Sequence, residues 1–223
     1  MADFLNNAST PVAGRVNGNR DLVVSPNYWK WLAQGKLFEA GFGAEDTPAD
    51  SQAAIDDTLA TFALQAGAGP KIVVPLLLRL AMVTDGGALT RIDIAFTKPA
   101  GLCGTTLTLS GGRAMTSIHN MYRTNPAQDG PTASALYGAA TTFAITVSAL
   151  VAADYVDYGY DSWIDAALTV MTQPQVKVIN FMEEAPRGLT ASAAMLVYIN
   201  TGTADSTWRP YVQWAELDEA DLL

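Results

Sequence analysis

The chain has a single cysteine, Cys103, and a single histidine, His119. A lone cysteine forbids an intrachain disulfide, so the fold does not depend on an oxidising compartment. One histidine and one cysteine are too few for a zinc site. They also restrict nucleophilic catalysis. Any Ser-His-Asp or Cys-His arrangement must use His119, and no G-x-S-x-G elbow is present to supply a serine. His119, flanked in sequence by Cys103 and Asp129, therefore reads as a polar residue at a strand end. No phosphate loop or dinucleotide fingerprint occurs, because the pairs Gly86–Gly87 and Gly111–Gly112 do not precede helices. The longest apolar run, Ile72–Leu78, is far too short to cross a bilayer. The opening Met1-Ala2-Asp3-Phe4 has neither the basic nor the apolar region of a signal peptide. The expectation is a soluble chain made in a cytoplasm and not exported by a cleaved signal.

Charge is also scarce. Only 16% of the 223 residues are charged and 49% are apolar, the balance of a globular chain. The net charge of −9 argues against a body that neutralises nucleic-acid phosphates, leaving the N-terminal arm as the one exception. Lys and Glu are sparse while Ala, Thr, Gly and Ser recur, which suits strands and a surface partly covered by neighbouring subunits. The first forty residues carry Arg15, Arg20, Lys30 and Lys36 against Asp3, Asp21 and Glu39; the last eight carry Glu216, Asp218, Glu219 and Asp221 with no base. Two solvated termini explain this most simply, and head-to-tail complementarity between copies is the alternative.

What the chain does contain is a strand grammar centred on Lys71–Lys98. Ile72–Thr84 is apolar on both faces except for Arg79, as in a central strand. Pro75 inside it cannot donate to a ladder and predicts a bulge or a local edge. Asp85-Gly86-Gly87 then reads as a hairpin turn into an antiparallel return. In that return Ile92, Ile94 and Phe96 face the core, while Arg91, Asp93 and Ala95 face solvent or a polar interface. Further strands are predicted over Thr58–Gln65, Thr105–Ser110, Thr141–Val151, Tyr155–Tyr160, Ile164–Met171, Gln175–Met182, Ala194–Asn200 and Trp208–Leu217, with Ala114–Met121 as a strand or one helical turn. Tyr122–Pro131 is the longest loop signal. Ahead of the strands, Ser25-Pro26 opens a short helix bearing Trp29 and Trp31 and stopped by Gly35. Thr47-Pro48-Ala49-Asp50 predicts a second short helix to about Ile55.

No helix-sized crossovers separate the strands. The fold class is all-β: a two-sheet antiparallel sandwich with jelly-roll or Greek-key wiring, an extended N-terminal arm and one or two short helices. The boundaries are 1–57 for arm and helices, 58–217 for the sandwich and 218–223 for an acidic tail.

Asp154, Asp157, Asp161 and Asp165 are dense enough to consider calcium, but the spacing is not that of an EF-hand loop and acids in turns are ordinary. Tyr155, Tyr158, Tyr160 and Trp163 between them could stack on sugar rings or serve as core. Glu183 and Glu184 are adjacent, so on a strand they point to opposite faces and cannot act as a glycosidase pair. No catalytic residue, metal or cofactor is expected.

In Asn19–Leu32 (NRDLVVSPNYWKWL), Val73–Leu80 (VVPLLLRL) and Trp208–Leu223 (WRPYVQWAELDEADLL) the chain resembles structural proteins of uncultured bacteriophages. The resemblance implies a non-enzymatic virion component with a jelly-roll body, whether capsid, cement, vertex or decoration protein. Its partners would be copies of itself and other virion proteins. Inter-subunit contacts are expected at Trp29, Trp31, Arg15, Arg20, Tyr122 and Arg123. The alternative from the residues is a carbohydrate-binding sandwich, with or without calcium, using residues 154–165.

Overall fold

The computed structural model describes residues 3–5, 11–13, 15–16, 22–23, 27–41, 48–53, 56–84, 90–104, 107–115, 117–121, 130–138, 145–159, 163–165, 176–182, 187–201 and 206–218. Strands dominate and the ladders between the described strands are antiparallel, so the all-β expectation holds. Two large sheets face each other. The first runs, in spatial order, Ser117–Asn120, Leu37–Gly41, Thr207–Leu217, Ile72–Thr84, Val176–Asn180, with Ala49–Asp50 also paired to Thr207–Leu217. The second runs Arg113–Ala114, Ser134–Tyr137, Phe62–Gln65, Ala194–Asn200, Thr90–Thr97, Tyr155–Tyr158, with Trp163–Asp165 also on Thr90–Thr97.

Between them lies the main core. Trp208, Val212, Trp214, Leu78, Leu80 and Phe38 from the first sheet meet Phe62, Leu64, Ile92, Ile94, Phe96 and Val197 from the second. Each fully buried Leu, Ile or Phe here contributes about 1.5–3 kcal/mol relative to exposure. Two further layers flank the sandwich. A three-stranded sheet (Leu59–Ala60, Leu109–Gly111, Ile145–Val147) covers the outer face of the second sheet, burying Ala63, Ala95, Leu196 and Tyr198. The helix Asn27–Ala33 covers part of the outer face of the first, burying Leu37, Val74, Leu76 and Ala215 beneath Trp31.

The Pro75 expectation is met by a bulge. Gln213 opposes Leu77 while Trp214 opposes Pro75, which leaves Leu76 unpaired. Consequently Leu78, Leu80 and Met82 point into the main core, whereas Val74 and Leu76, of the same parity, point to the helix.

Four local expectations are corrected. Ile72–Thr84 and Thr90–Thr97 are not a hairpin, because they lie in different sheets. Both are apolar enough to be central strands, and the main core is filled from both sides by them. The Arg91–Asp93–Ala95 face is not solvent: Asp93 and Ala95 are fully buried under the third layer, and Asp93 is paired with the exposed Arg91 at 2.8 Å. Ala49–Asp50 is strand, not helix, because Ala49 is drawn into the main core and Ser51 Oγ hydrogen-bonds with Thr201 Oγ1 at 2.8 Å. Thr58–Gln65 is not one strand: Leu59–Ala60 belongs to the small sheet and Phe62–Gln65 to the second large one. The sandwich also enlists Leu37–Gly41, which the sequence reading placed in the 1–57 segment. Within the arm, Asp3–Leu5 pairs with Pro11–Ala13, and Arg15–Val16 with Leu22–Val23.

Candidate functional site

The helix is short, so its period decides everything. Tyr28, Trp31 and Leu32 lie at i, i+3 and i+4 and form its inward face. Trp29 falls on the other side. Trp31 is 6% exposed and Trp29 60%. Gly35, at φ 69°, ends the helix: its N–H donates to the Leu32 carbonyl and the Lys36 N–H to the Trp31 carbonyl, both at 2.9 Å. The expected Ser25-Pro26 start lies outside the described residues. Tyr28 meets Trp29 edge to face at 5.8 Å, and its hydroxyl lies 3.8 Å from Met121 Sδ. Burial, reinforced by Glu39, pushes the Tyr28 hydroxyl pKa up.

The helix covers only part of the first sheet's outer face. Across the rest, opposing positions place Arg79 beside Tyr211 and Val178, and Ala81 beside Arg209 and Val176. Tyr211 donates to Glu39 Oε2 at 2.6 Å and accepts from Gln213 Nε2 at 2.6 Å. Burial, and then the bond to Glu39, raise the Tyr211 pKa to about 12. A groove of about 290 Å³ runs along the helix flank, lined by Tyr28, Leu76, Leu77, Asn180, Met182 and Gln213. Met182 lines it and Val178, two residues from Asn180, is 53% exposed, while Val176 and Val83 are exposed further along the same two strands. Val176–Asn180 is one of the two edge strands of this sheet among the described residues. An apolar rim, two arginines and a hydrogen-bonded Tyr–Gln–Glu network give this face the composition of a protein-contact surface.

The other sequence-selected residues are dispersed. His119 is exposed and sits opposite Glu39 on this same sheet. Cys103 packs with the third layer on the far side of the sandwich. Burial, with Asp154 adding, pushes its thiol pKa up, the wrong direction for a nucleophile. Asp154 is buried and accepts from Gly104 N at 2.6 Å and Val151 N at 3.0 Å, and Asp157 pairs with Arg187 at 2.8 Å. Those two carboxylates already serve the protein's own donors. Among the described residues no three His, Cys, Asp or Glu side chains converge as a metal site, and no helix is long and apolar enough to cross a membrane. Arg20, Tyr122, Arg123, Asp129, Asp161, Glu183 and Glu184 lie outside the described residues, as do the side chains of Arg15, Trp163 and Asp165.

Sequence reasoning missed Glu216. The sequence puts it in the closing strand Trp208–Leu217 but groups it with the charges of a solvated terminus; it is buried, and it accepts from Thr132 N, Thr132 Oγ1, Ala133 N and Trp214 Nε1 at 2.7–3.1 Å. It thereby ties the first sheet's last strand to the lead-in of Ser134–Tyr137 in the second. The alternation Trp208, Val212, Trp214, Glu216 places it on the core side, and that signal was available. Asp218 pairs with Lys36 and Lys71 at 3.6 and 3.0 Å, so part of the head-to-tail charge complementarity is satisfied within one chain.

No family model matches this chain, and it matches no curated protein and no solved structure.

Proposed function

We propose that the protein is a non-enzymatic structural subunit acting through contacts with other copies and with neighbouring proteins of a shell. In this reading it is a jelly-roll-type capsid or capsid-associated component of a bacteriophage virion. The observation that carries it is the half-covered outer face of the first sheet. There an exposed Trp29, Met182 and Val178 lie at or beside the groove next to the helix, and Val176 and Val83 continue the exposed apolar surface along the same two strands. Aromatic residues at such positions are the usual anchors of protein interfaces. The virion setting rests on the resemblance in Asn19–Leu32, Val73–Leu80 and Trp208–Leu223.

A carbohydrate-binding module is the alternative. The Tyr155–Tyr158 pair offers rings to stack on, but Asp154 and Asp157 are engaged by Gly104, Val151 and Arg187, which weakens its calcium-dependent form.

Light scattering of the full chain across a concentration range tests the structural reading. A trimer, pentamer or larger closed assembly is expected. Trp29→Ser combined with Val178→Lys should reduce the mass while leaving the melting temperature within about 2 °C, because both side chains are exposed. Removing residues 1–24 should likewise abolish assembly but keep the fold. A monomer at every concentration, or an assembly indifferent to the double substitution, overturns the assignment of this face.

A further inference from the structure

Two tyrosines share a face that a regular strand would deny them. Tyr155 and Tyr158 are three residues apart, and strict alternation sends such residues to opposite sides. The register against Thr90–Thr97 explains the exception. Tyr158 opposes Ala95, Asp157 opposes Phe96, and Tyr155 opposes Thr97, so Val156 is an extra, unpaired residue. Bulges at sheet edges commonly re-aim a side chain in this way. Here the result is a corner: the two rings lie 5.1 Å apart at 76°. Tyr198 extends the row, 6.3 Å from Tyr158, and is anchored by donating its hydroxyl to the Asp57 carbonyl at 3.1 Å.

The corner opens on a cavity of about 270 Å³ lined by Asp57, Leu150, Ala152, Tyr155 and Tyr158. Tyr158 is 45% exposed and Asp57 is exposed, so a ring and a carboxylate reach solvent together. The Tyr155 hydroxyl is enclosed and makes no well-formed hydrogen bond among the described residues. Tyr155 thus offers its ring, not its oxygen. No Lys or Arg is among the described lining residues. The local field is negative. Burial raises both hydroxyl pKa values; at Tyr155 the neighbouring Tyr198 hydroxyl offsets part of this and Asp57 adds to it. At Tyr158 Asp93 and Asp57 add to burial and Arg91 offsets the smallest part.

We propose that this corner binds an alkylated ammonium group, seated on the Tyr158 ring with Tyr155 as second wall and Asp57 as counter-ion. The negative ring faces attract such a cation, the more so where it is desolvated. Leu150 and Ala152 suit its methyl groups. A hexose is a poorer match, because it brings several hydroxyls to a wall whose described polar reach is one carboxylate and one tyrosine hydroxyl. Anions are repelled by Asp57. The site lies across the sandwich from the proposed assembly face, so it stands or falls independently of that reading.

The test is isothermal titration of the full chain with tetramethylammonium chloride, against sodium chloride at equal ionic strength and methyl glucopyranoside. Saturable binding at roughly millimolar concentration is expected. Tyr158→Leu and Asp57→Asn should each weaken it about tenfold. Tyr158→Phe keeps the ring and should stay within about twofold. Both positions are exposed, and unchanged thermal melts of the variants establish that they fold. Choline and trimethyl-lysine, titrated separately, distinguish a lipid headgroup from a modified protein as the source of the group. Absence of saturation, saturation by the glucoside instead, or affinity unchanged in Tyr158→Leu overturns the proposal.

Discussion

Replacing Glu216 by leucine should cost about 3–5 kcal/mol, a large share of the stability of an ordinary domain. The magnitude follows from its partners. The carboxylate accepts from Thr132 N and Ala133 N at 2.9 Å, Thr132 Oγ1 at 2.7 Å and Trp214 Nε1 at 3.1 Å. Leucine leaves three N–H donors without that acceptor. Those of Ala133 and Trp214 are buried, and a buried donor stranded in this way costs about 1–3 kcal/mol. The Thr132 N–H borders a cavity of about 140 Å³ that Gly130, Lys36 and Lys71 also line, so water can rescue part of its loss. Relief of the carboxylate's own desolvation keeps the total below the simple sum. Glutamine is the informative comparison. Its carbonyl can replace Oε1, and the Thr132 hydroxyl can rotate to accept from the new amide. The Thr132 N–H, shared in the parent between both oxygens at 2.9 Å, keeps the carbonyl but meets the amide in place of the second oxygen, so charge assistance and that shared contact are lost, about 1–2 kcal/mol. Urea unfolding monitored by tryptophan fluorescence measures both variants. For a chain of this size the leucine variant should melt about 6–20 °C lower. In a Trp214→Phe background, which has its own cavity cost but no indole donor to strand, the Glu216→Leu penalty should be about 1 kcal/mol smaller. A leucine variant within about 0.5 kcal/mol of the parent, or a glutamine variant less stable than leucine, refutes the claim that this carboxylate ties the sheets together.

Gly112 has φ +71°, and a Cβ there would lie 2.7 Å from Ile145 Cγ1 and 3.2 Å from the Tyr137 carbonyl oxygen, so Gly112→Ala should destabilise by about 1–3 kcal/mol in urea unfolding. Gly69→Ala, which meets nothing within 4 Å, is the matched control and should change stability by less than about 0.5 kcal/mol. Tyr211 keeps its proton to about pH 12 when folded, while the unfolded side chain loses it near pH 10. Its contribution to stability is therefore complete below about pH 10 and falls as pH rises from there towards 12. Absorbance titration at 295 nm should show late tyrosinate absorbance from which Tyr211→Phe removes one tyrosine's share near pH 12. Late absorbance unchanged in that variant would reassign it to another tyrosine.

The strands were legible because burial on one or both faces writes a period into the residues. Ile72–Thr84, Ala194–Asn200 and the closing Thr207–Leu217 lie within a residue of where period and turn signals put them. The tryptophan helix was legible in the same way. The sequence offers both indoles as inter-subunit contacts, but the spacing of Tyr28, Trp31 and Leu32 turns Trp31 in and leaves Trp29 out. Partner choice was not legible. Asp85-Gly86-Gly87 has the chemistry of a hairpin turn, yet the strands on either side enter different sheets. A period of two says that a strand has two faces, not which strand lies beside it. Ala95 and Asp93 show a second blind spot. A polar or small residue at every other position reads as solvent-facing, but small residues also let a third layer approach closely, and Asp93 is buried while its partner Arg91 stays exposed.

Bulges set the deepest limit, because one extra residue inverts every face assignment beyond it. At Pro75 the missing N–H announced the irregularity, so the inversion after Leu76 could be expected. At Val156 nothing announces it. Val, Tyr and Asp are all compatible with an unbroken strand, and alternation through DYVDY separates Tyr155 from Tyr158. Only the pairing of Thr97 with Tyr155 and of Ala95 with Tyr158 reveals that the rings meet. The tyrosine corner is thus a product of register, set by the neighbouring strand. Deleting Val156 would leave Tyr155 and Tyr158 two residues apart, on one face by plain alternation and still opposite Thr97 and Ala95. The corner should therefore survive the loss of the bulge, and a loss of tetramethylammonium binding in that variant would refute the assignment of the corner to register.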